Sequence, residues 1–191
     1  MYPLRTFSQR PRNLVIKETD RSDLADIHRI EELAFGQPDE AQLVDLMLTD
    51  PSAQPLLSLI AIGEGGAVGH ILFSAARIPD AEGETKISIL APLAVLPDFQ
   101  RSGIGGRLIE EGLRHLTDAG VDLVFVLGDP AYYTRHGFEP ATRLGLAPPH
   151  TLPEAYADAW MVQALRSGLL GRVKGRIVCS DVLNRPEYWV E

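Results

Sequence analysis

Leu93-Ala94-Val95-Leu96-Pro97-Asp98-Phe99-Gln100-Arg101-Ser102-Gly103-Ile104-Gly105-Gly106-Arg107-Leu108 runs from an apolar strand through a turn into a helix. Three glycines within four residues, Gly103, Gly105 and Gly106, let the backbone come close to a ligand. The N–H groups that open a helix have no partners inside it, and with the positive end of the helix dipole they favour an anion such as phosphate. The helix is predicted from Ile104, Leu108, Leu113, Leu116 and Ala119, spaced three to five apart, with Glu110, Glu111, Arg114 and Asp118 left for solvent. Gly120 stops it. Val121 through Gly128 then reads as a mostly buried strand, so strand, helix and strand form a right-handed parallel crossover.

The glycines do not follow the G-x-G-x-x-G spacing of a dinucleotide fold, and no lysine with serine or threonine follows them, which excludes a nucleotide P-loop. Upstream, Asn13 to Glu18 reads as a first strand, Thr19 to Asp23 as a turn and cap, and Leu24, Ile27, Ile30, Glu31 and Ala34 as an amphipathic helix ending near Gly36. A second helix runs from Glu40 to Leu48, with Leu43, Leu46 and Met47 inward, and Asp50-Pro51 closes it. Leu56 to Ile62 and Ala67 to Ser74 flank Gly63-Glu64-Gly65-Gly66 as a β-hairpin. A polar loop from Pro79 to Glu84 leads to a strand from Lys86 to Val95. Past Phe138, prolines 140, 148, 149 and 153 punctuate a long connection, and Ala159 to Leu165 and Arg176 to Ser180 suggest two more strands.

The 191 residues suit one domain, and 45% apolar with 23% charged residues is ordinary for a globular chain. No window reaches about eighteen uninterrupted apolar residues, and Met1 to Arg5 lacks the layout of a signal peptide, so neither a membrane partner nor export is expected. The single cysteine, Cys179, sits in an apolar run and reads as a buried structural thiol in a reducing, cytoplasmic compartment. His28, His70, His115, His136 and His150 have no metal-ligand spacing, and no metal is expected. A net charge of −8 disfavours nucleic acid and suits a cationic acceptor.

Gln100-Arg101-Ser102-Gly103-Ile104-Gly105 matches the Q/R-x-x-G-x-G/A signature of the GNAT family of N-acetyltransferases, and Leu93 to Pro97 resembles that family's fourth strand. Asp129-Pro130-Ala131-Tyr132-Tyr133-Thr134-Arg135-His136-Gly137-Phe138 resembles its aromatic-Tyr-x-x-x-Gly-Phe segment after the fifth strand. Two signatures in order, joined by the predicted helix and strand, are more specific than either alone. The resemblance implies an α/β fold with a mixed α+β central sheet, flanked by helices, whose fourth and fifth strands splay apart. It covers residues 13–140 as the core of a single domain over 13–191, with 141–191 a variable C-terminal part and 1–12 a loose arm.

The resemblance further implies acetyl-CoA as co-substrate. Its pyrophosphate would sit on the N–H groups of Arg101, Ser102, Gly103, Ile104, Gly105 and Gly106, with side-chain help from Gln100 and Arg101, and its pantetheine arm would pair with Leu93, Ala94 and Val95. A Cβ at Gly103 or Gly105 would stand between the donors and the phosphate oxygens. Tyr133 aligns with the family's general acid, whereas Tyr132 reads as a core aromatic and Asp129 as a helix cap. The glutamate that some members carry eleven residues before the signature glutamine is Ile89 here. Ser88, Glu31 or Glu32 would have to hold a water instead, and each reads first as a surface or cap residue. The implied reaction is transfer of an acetyl group to a primary amine, of a small molecule or a protein, by direct attack, and family habit adds a homodimer. A non-catalytic acyl-CoA-binding module on the same scaffold and an unrelated α/β phosphate-binding protein are the competing readings.

Overall fold

The computed structural model describes residues 13–79 and 85–189. The expected arm over residues 1–12 and most of the polar loop after Pro79 lie outside these. Among the described residues, nine strands and four α-helices follow in chain order: β1 Val15–Glu18, α1 Leu24–Phe35, α2 Asp39–Thr49, β2 Leu57–Gly63, β3 Gly66–Ala76, β4 Ile87–Val95, α3 Ile104–Asp118, β5 Leu123–Leu127, α4 Pro130–Tyr133, β6 Glu139–Pro140, β7 Leu146–Ala147, β8 Trp160–Ala164 and β9 Gly175–Arg176. The main sheet has seven strands in the order β1-β2-β3-β4-β5-β8-β6, and β7 pairs with β9 apart from it. Only β4 and β5 are parallel neighbours within it. This is the mixed sheet expected, with α3 as the link that a parallel pair requires.

The two faces follow from side-chain alternation along β3. Gly69 lies against Ile104 and Leu108, and Phe73 against Gly112, so that face carries α3. His70, one residue on, points the other way and meets Glu31 of α1. Burial of Ile104, Leu108, Ile109 and Leu116 seats α3, at about 1.5–3 kcal/mol per side chain. Leu113 is only half-buried and Ala119 is exposed, because Ile109 and Gly112 take the inward stripe and the helix stops at Asp118.

Three further expectations are corrected. Leu46 in α2 is 38% exposed, since Leu43, Val44 and Met47 form the inward face. Glu31 is neither surface nor cap but fully buried, as described below. The strand expected from Arg176 to Ser180 shrinks to Gly175–Arg176 plus a bridge from Val178 to Arg77, because the chain there bends toward α2. Asp50 accepts the Val182 amide at 3.1 Å, Ser180 lies on Met47, and Trp189 meets Trp160 edge-on at 5.6 Å. The C-terminal segment therefore covers the face that carries α1 and α2. Among the described residues no helix is long and apolar enough to cross a membrane.

Candidate active site

The site begins with an opening in the sheet. β4 pairs with β5 only through Ile87–Leu90 against Leu123–Val126. At the closed end the buried carboxylate of Asp122 accepts the Lys86 amide at 2.9 Å and the Arg166 guanidinium at 2.8 Å. At the other end the register of β4 against β3 shifts, Leu90 facing Phe73 and Leu93 facing Ile71, so the strand bulges at Ala91-Pro92. From there β4 follows β3 and leaves β5, the splayed arrangement that the family resemblance implies.

Ladder geometry decides which β4 groups face the opening. Leu96 donates its amide to Val68, so residues at even positions here bond β3 and those at odd positions turn away. Leu93 and Val95 therefore present backbone donors and acceptors to the gap, whereas the buried Ala94 turns its own to β3. Gln100 donates its side-chain amide to the Val95 carbonyl at 3.1 Å, which fastens the elbow to the end of β4.

The elbow itself is strongly bent. Pro97–Phe99 forms a 3-10 turn, the Ser102 hydroxyl donates to the Phe99 carbonyl, and Arg101 and Gly103 have φ of 60° and 90°. Gly103 has no atom near a would-be Cβ, so glycine is required there by the backbone angle alone. The amides of Arg101 through Gly106 donate to no carbonyl among the described residues, the first helical bond running from Arg107 to Gly103. Six free amides at the start of a fifteen-residue helix form a cradle suited to a phosphate.

At Gly105 and Gly106 the reason for glycine differs from the one the sequence suggests. A Cβ on Gly105 would lie 2.5 Å from the Tyr132 hydroxyl, and one on Gly106 would lie 2.8 Å from the His136 ring. Tyr132 packs against the edge of the core, as expected, and also reaches the glycines. Half-buried, it covers the first turn of α3, with the Arg135 guanidinium 5.1 Å from its ring centre and the His136 ring at 5.1 Å. Burial lowers the pKa of His136, so its imidazole is neutral at pH 7. The Tyr132–His136 pairing with the glycines spans about thirty residues, and only the shared signature order hinted at it.

Tyr133 lies on the other side of Tyr132, edge-on at 5.0 Å, and edge-on to Phe138 at 5.7 Å. A Cβ on Gly128 would overlap its ring. Asp129, as expected, caps α4 by accepting the Ala131 amide at 2.9 Å. Burial, with Tyr132 beside it, pushes the Tyr133 phenol well above its ordinary pKa, so it stays protonated. A buried neutral phenol is a proton donor.

The residues weighed as holders of a basic water do not gather at this opening. Ile89 is buried and apolar, Ser88 is buried, and Glu32 is exposed on α1. Glu31 instead ends a buried chain: Thr19 donates to Ser58 at 2.8 Å, Ser58 meets His70 Nε2 at 2.9 Å, and His70 Nδ1 meets Glu31 at 2.5 Å. Among the described residues no group of three or more His, Cys, Asp or Glu is placed to hold a metal. Cys179 is buried, which pushes its thiol up to about 12.

Beyond Gly128, on the Leu127 side of β5, a cavity of about 340 Å³ opens under the C-terminal segment, bounded by Leu127 to Pro130, Leu152, Tyr156 and Trp189. Sequence reading missed it, because its far wall comes from the illegible last fifty residues.

Residues 57–140 match the sequence profile of the Acetyltransferase (GNAT) domain. The chain is 48% identical over 164 residues to the uncharacterized N-acetyltransferase YjhQ of Escherichia coli K12, spanning 85% of this chain and 90% of that one. It is 33% identical over 157 residues to the uncharacterized N-acetyltransferase YhbS of the same strain, spanning 80% and 87%. The crystal structure of YhbS from E. coli in complex with CoA superposes with a TM-score of 0.80 at 29% identity, over 90% of this chain and 92% of that one. A GNAT family acetyltransferase from Brucella melitensis in complex with acetyl-CoA superposes with a TM-score of 0.70 at 29% identity, over 90% and 98%.

Proposed function

This chain belongs to the GNAT family of acyl-CoA-dependent acetyltransferases, and on that premise we propose that it transfers an acetyl group to a primary amine by direct attack, with Tyr133 as general acid. The observation that carries the reading is the opening between β4 and β5, with free amides at its mouth and a protonated phenol beside it. The residues fit acetyl-CoA. Arg101 to Gly106 offer amides to a pyrophosphate, and Leu93 and Val95 offer strand-like backbone groups to an extended amide-bearing arm. When bound, acetyl-CoA supplies a thioester whose carbonyl carbon takes the amine nitrogen's lone pair as the C–S bond breaks, giving an N-acetyl amine and CoA thiol.

Tyr133 gives its proton to the departing sulfur and regains one, through water, from the acylated nitrogen. Burial keeps the phenol protonated as pH rises, so its O–H stays available to the departing sulfur. With Ile89 in place of a β4 carboxylate, β4 supplies no base, and the amine attacks once its ammonium has lost a proton to solvent. Residues 13–191 form one acetyltransferase domain in this reading, and the lone cysteine agrees with a cytoplasmic setting.

Tyr133→Phe tests the assignment. A thiol-release assay should show kcat reduced by about 10²- to 10⁴-fold, while calorimetry shows acetyl-CoA affinity within about twofold of wild type. Unchanged kcat removes Tyr133 from the chemistry.

A further inference from the structure

We propose that the acceptor is a small primary amine with an apolar body of about the size of a phenyl ring, seated in the cavity beside β5 with its ammonium toward Asp129. This deepens the acetyl-transfer reading and rests on it.

Position comes first. Leu127 to Pro130 form the near wall, and the same turn carries Tyr133, whose ring fills the space that a side chain at Gly128 would take. Leu127 points to the side of β5 shared with its partner Trp160, and Gly128 to the side of Tyr133. Cavity and phenol therefore flank one short stretch of backbone at the open end of the sheet.

Chemistry comes second. Leu127, Leu152, Pro153, Tyr156 and Trp189 make the lining apolar and aromatic, and none of the residues described around it is basic. Its volume of about 340 Å³ is roughly twice the 150 Å³ that admits benzene. Trp189 is a fixed wall, its indole donating to the Leu183 carbonyl at 2.7 Å and its ring packed on Trp160. A polyamine or a peptide backbone would leave its polar groups unpaired against such a lining.

Charge comes third. Asp129 is the sole carboxylate among the lining residues. One of its oxygens holds the Ala131 amide, and the other meets no donor among the described residues. That free oxygen at the rim favours a cationic head over a neutral or anionic one.

The test compares kcat/KM for 2-phenylethylamine and 3-methylbutylamine with that for putrescine, spermidine and a short peptide, in a thiol-release assay run beside calorimetric titration with acetyl-CoA. We expect the apolar amines to exceed the others by at least roughly 30-fold. Ala159→Phe, which puts a ring into the cavity from its Ala159 wall, should raise KM for 2-phenylethylamine at least about tenfold, and Asp129→Asn, which keeps the cap but removes the charge, should do likewise. Thermal melts confirm that each variant is folded, and Asp129→Asn decides alone if Ala159→Phe is not. Acetyl-CoA binding with putrescine, spermidine or peptide preferred, or with KM for 2-phenylethylamine unmoved in the folded variants, overturns the acceptor class and leaves acetyl transfer standing. Absence of acetyl-CoA binding overturns both.

Discussion

Alanine at position 105 separates two reasons for the glycine there. Its Cβ would lie 2.5 Å from the Tyr132 hydroxyl oxygen, while the next neighbours, Tyr132 Cζ at 3.7 Å and Leu93 Cδ2 at 3.8 Å, are at ordinary contact. The hydroxyl must therefore retreat by about 1 Å. Tyr132 is held between Tyr133 and His136, so the shift costs about 1–2 kcal/mol. Against this, alanine in a helix gains about 0.5–1 kcal/mol over glycine. Gly105→Ala alone should lose up to about 1.5 kcal/mol, and the same change in a Tyr132→Phe background should instead gain about 0.5–1 kcal/mol. Urea denaturation of the four proteins gives a coupling energy of about 1–2 kcal/mol. Additivity within about 0.3 kcal/mol would refute the packing argument. The stable double variant then carries a second question. If the Gly105 amide must lie against a pyrophosphate, its affinity for acetyl-CoA falls about tenfold or more despite the relieved overlap.

His70→Ala leaves Glu31 buried without its partner and should destabilise by about 3 kcal/mol or more in urea melts. The loss depends on pH. Burial raises the folded pKa of Glu31 above its ordinary 4.5, with His70 opposing. A carboxyl raised in the folded state stabilises below the unfolded pKa and loses that stability as pH rises through the folded value. The deficit of the variant is therefore smaller at pH 5 than at pH 8, and a deficit that shrinks with rising pH would contradict the account. Gly112→Ala drives a methyl into the Phe73 ring and should cost about 1–2 kcal/mol, overpacking outweighing the helix gain. Adding Phe73→Leu should recover most of it.

The elbow and its flanks were legible because each signal is local. Gly103 needs a left-handed angle, Gly36 and Gly120 have positive φ at helix ends, and the Glu64-Gly65 turn closes a hairpin between apolar runs. The splay was legible only through resemblance, since Pro92 and Pro97 mark interruptions of the β4 ladder without showing which neighbour the strand leaves. Glu31 was illegible for another reason. A charged residue in an amphipathic helix reads as solvent-facing, and its partner His70 stands 39 positions away on a strand. The same distance problem hid Tyr132 against Gly105, and Trp189 against Trp160. In the C-terminal part, β7 and β9 are two residues each, too short for any periodicity to register.

A calorimetric titration with acetyl-CoA, beside ATP and inorganic phosphate, on wild type and Gly103→Glu tests most directly whether the α3 cradle binds acetyl-CoA for transfer. Gly103 faces open space but holds φ of 90°, so the variant strains the elbow locally by about 1–2 kcal/mol, leaves the core contacts in place and sets a carboxylate among the amides proposed to bind phosphate. Wild type should bind acetyl-CoA with micromolar affinity and gain about 2.7 kcal/mol of stability at 100 times Kd. ATP and phosphate should bind far more weakly, and the folded variant should lose at least about 100-fold in affinity. No binding by folded wild type, or equal binding by the folded variant, would contradict the account.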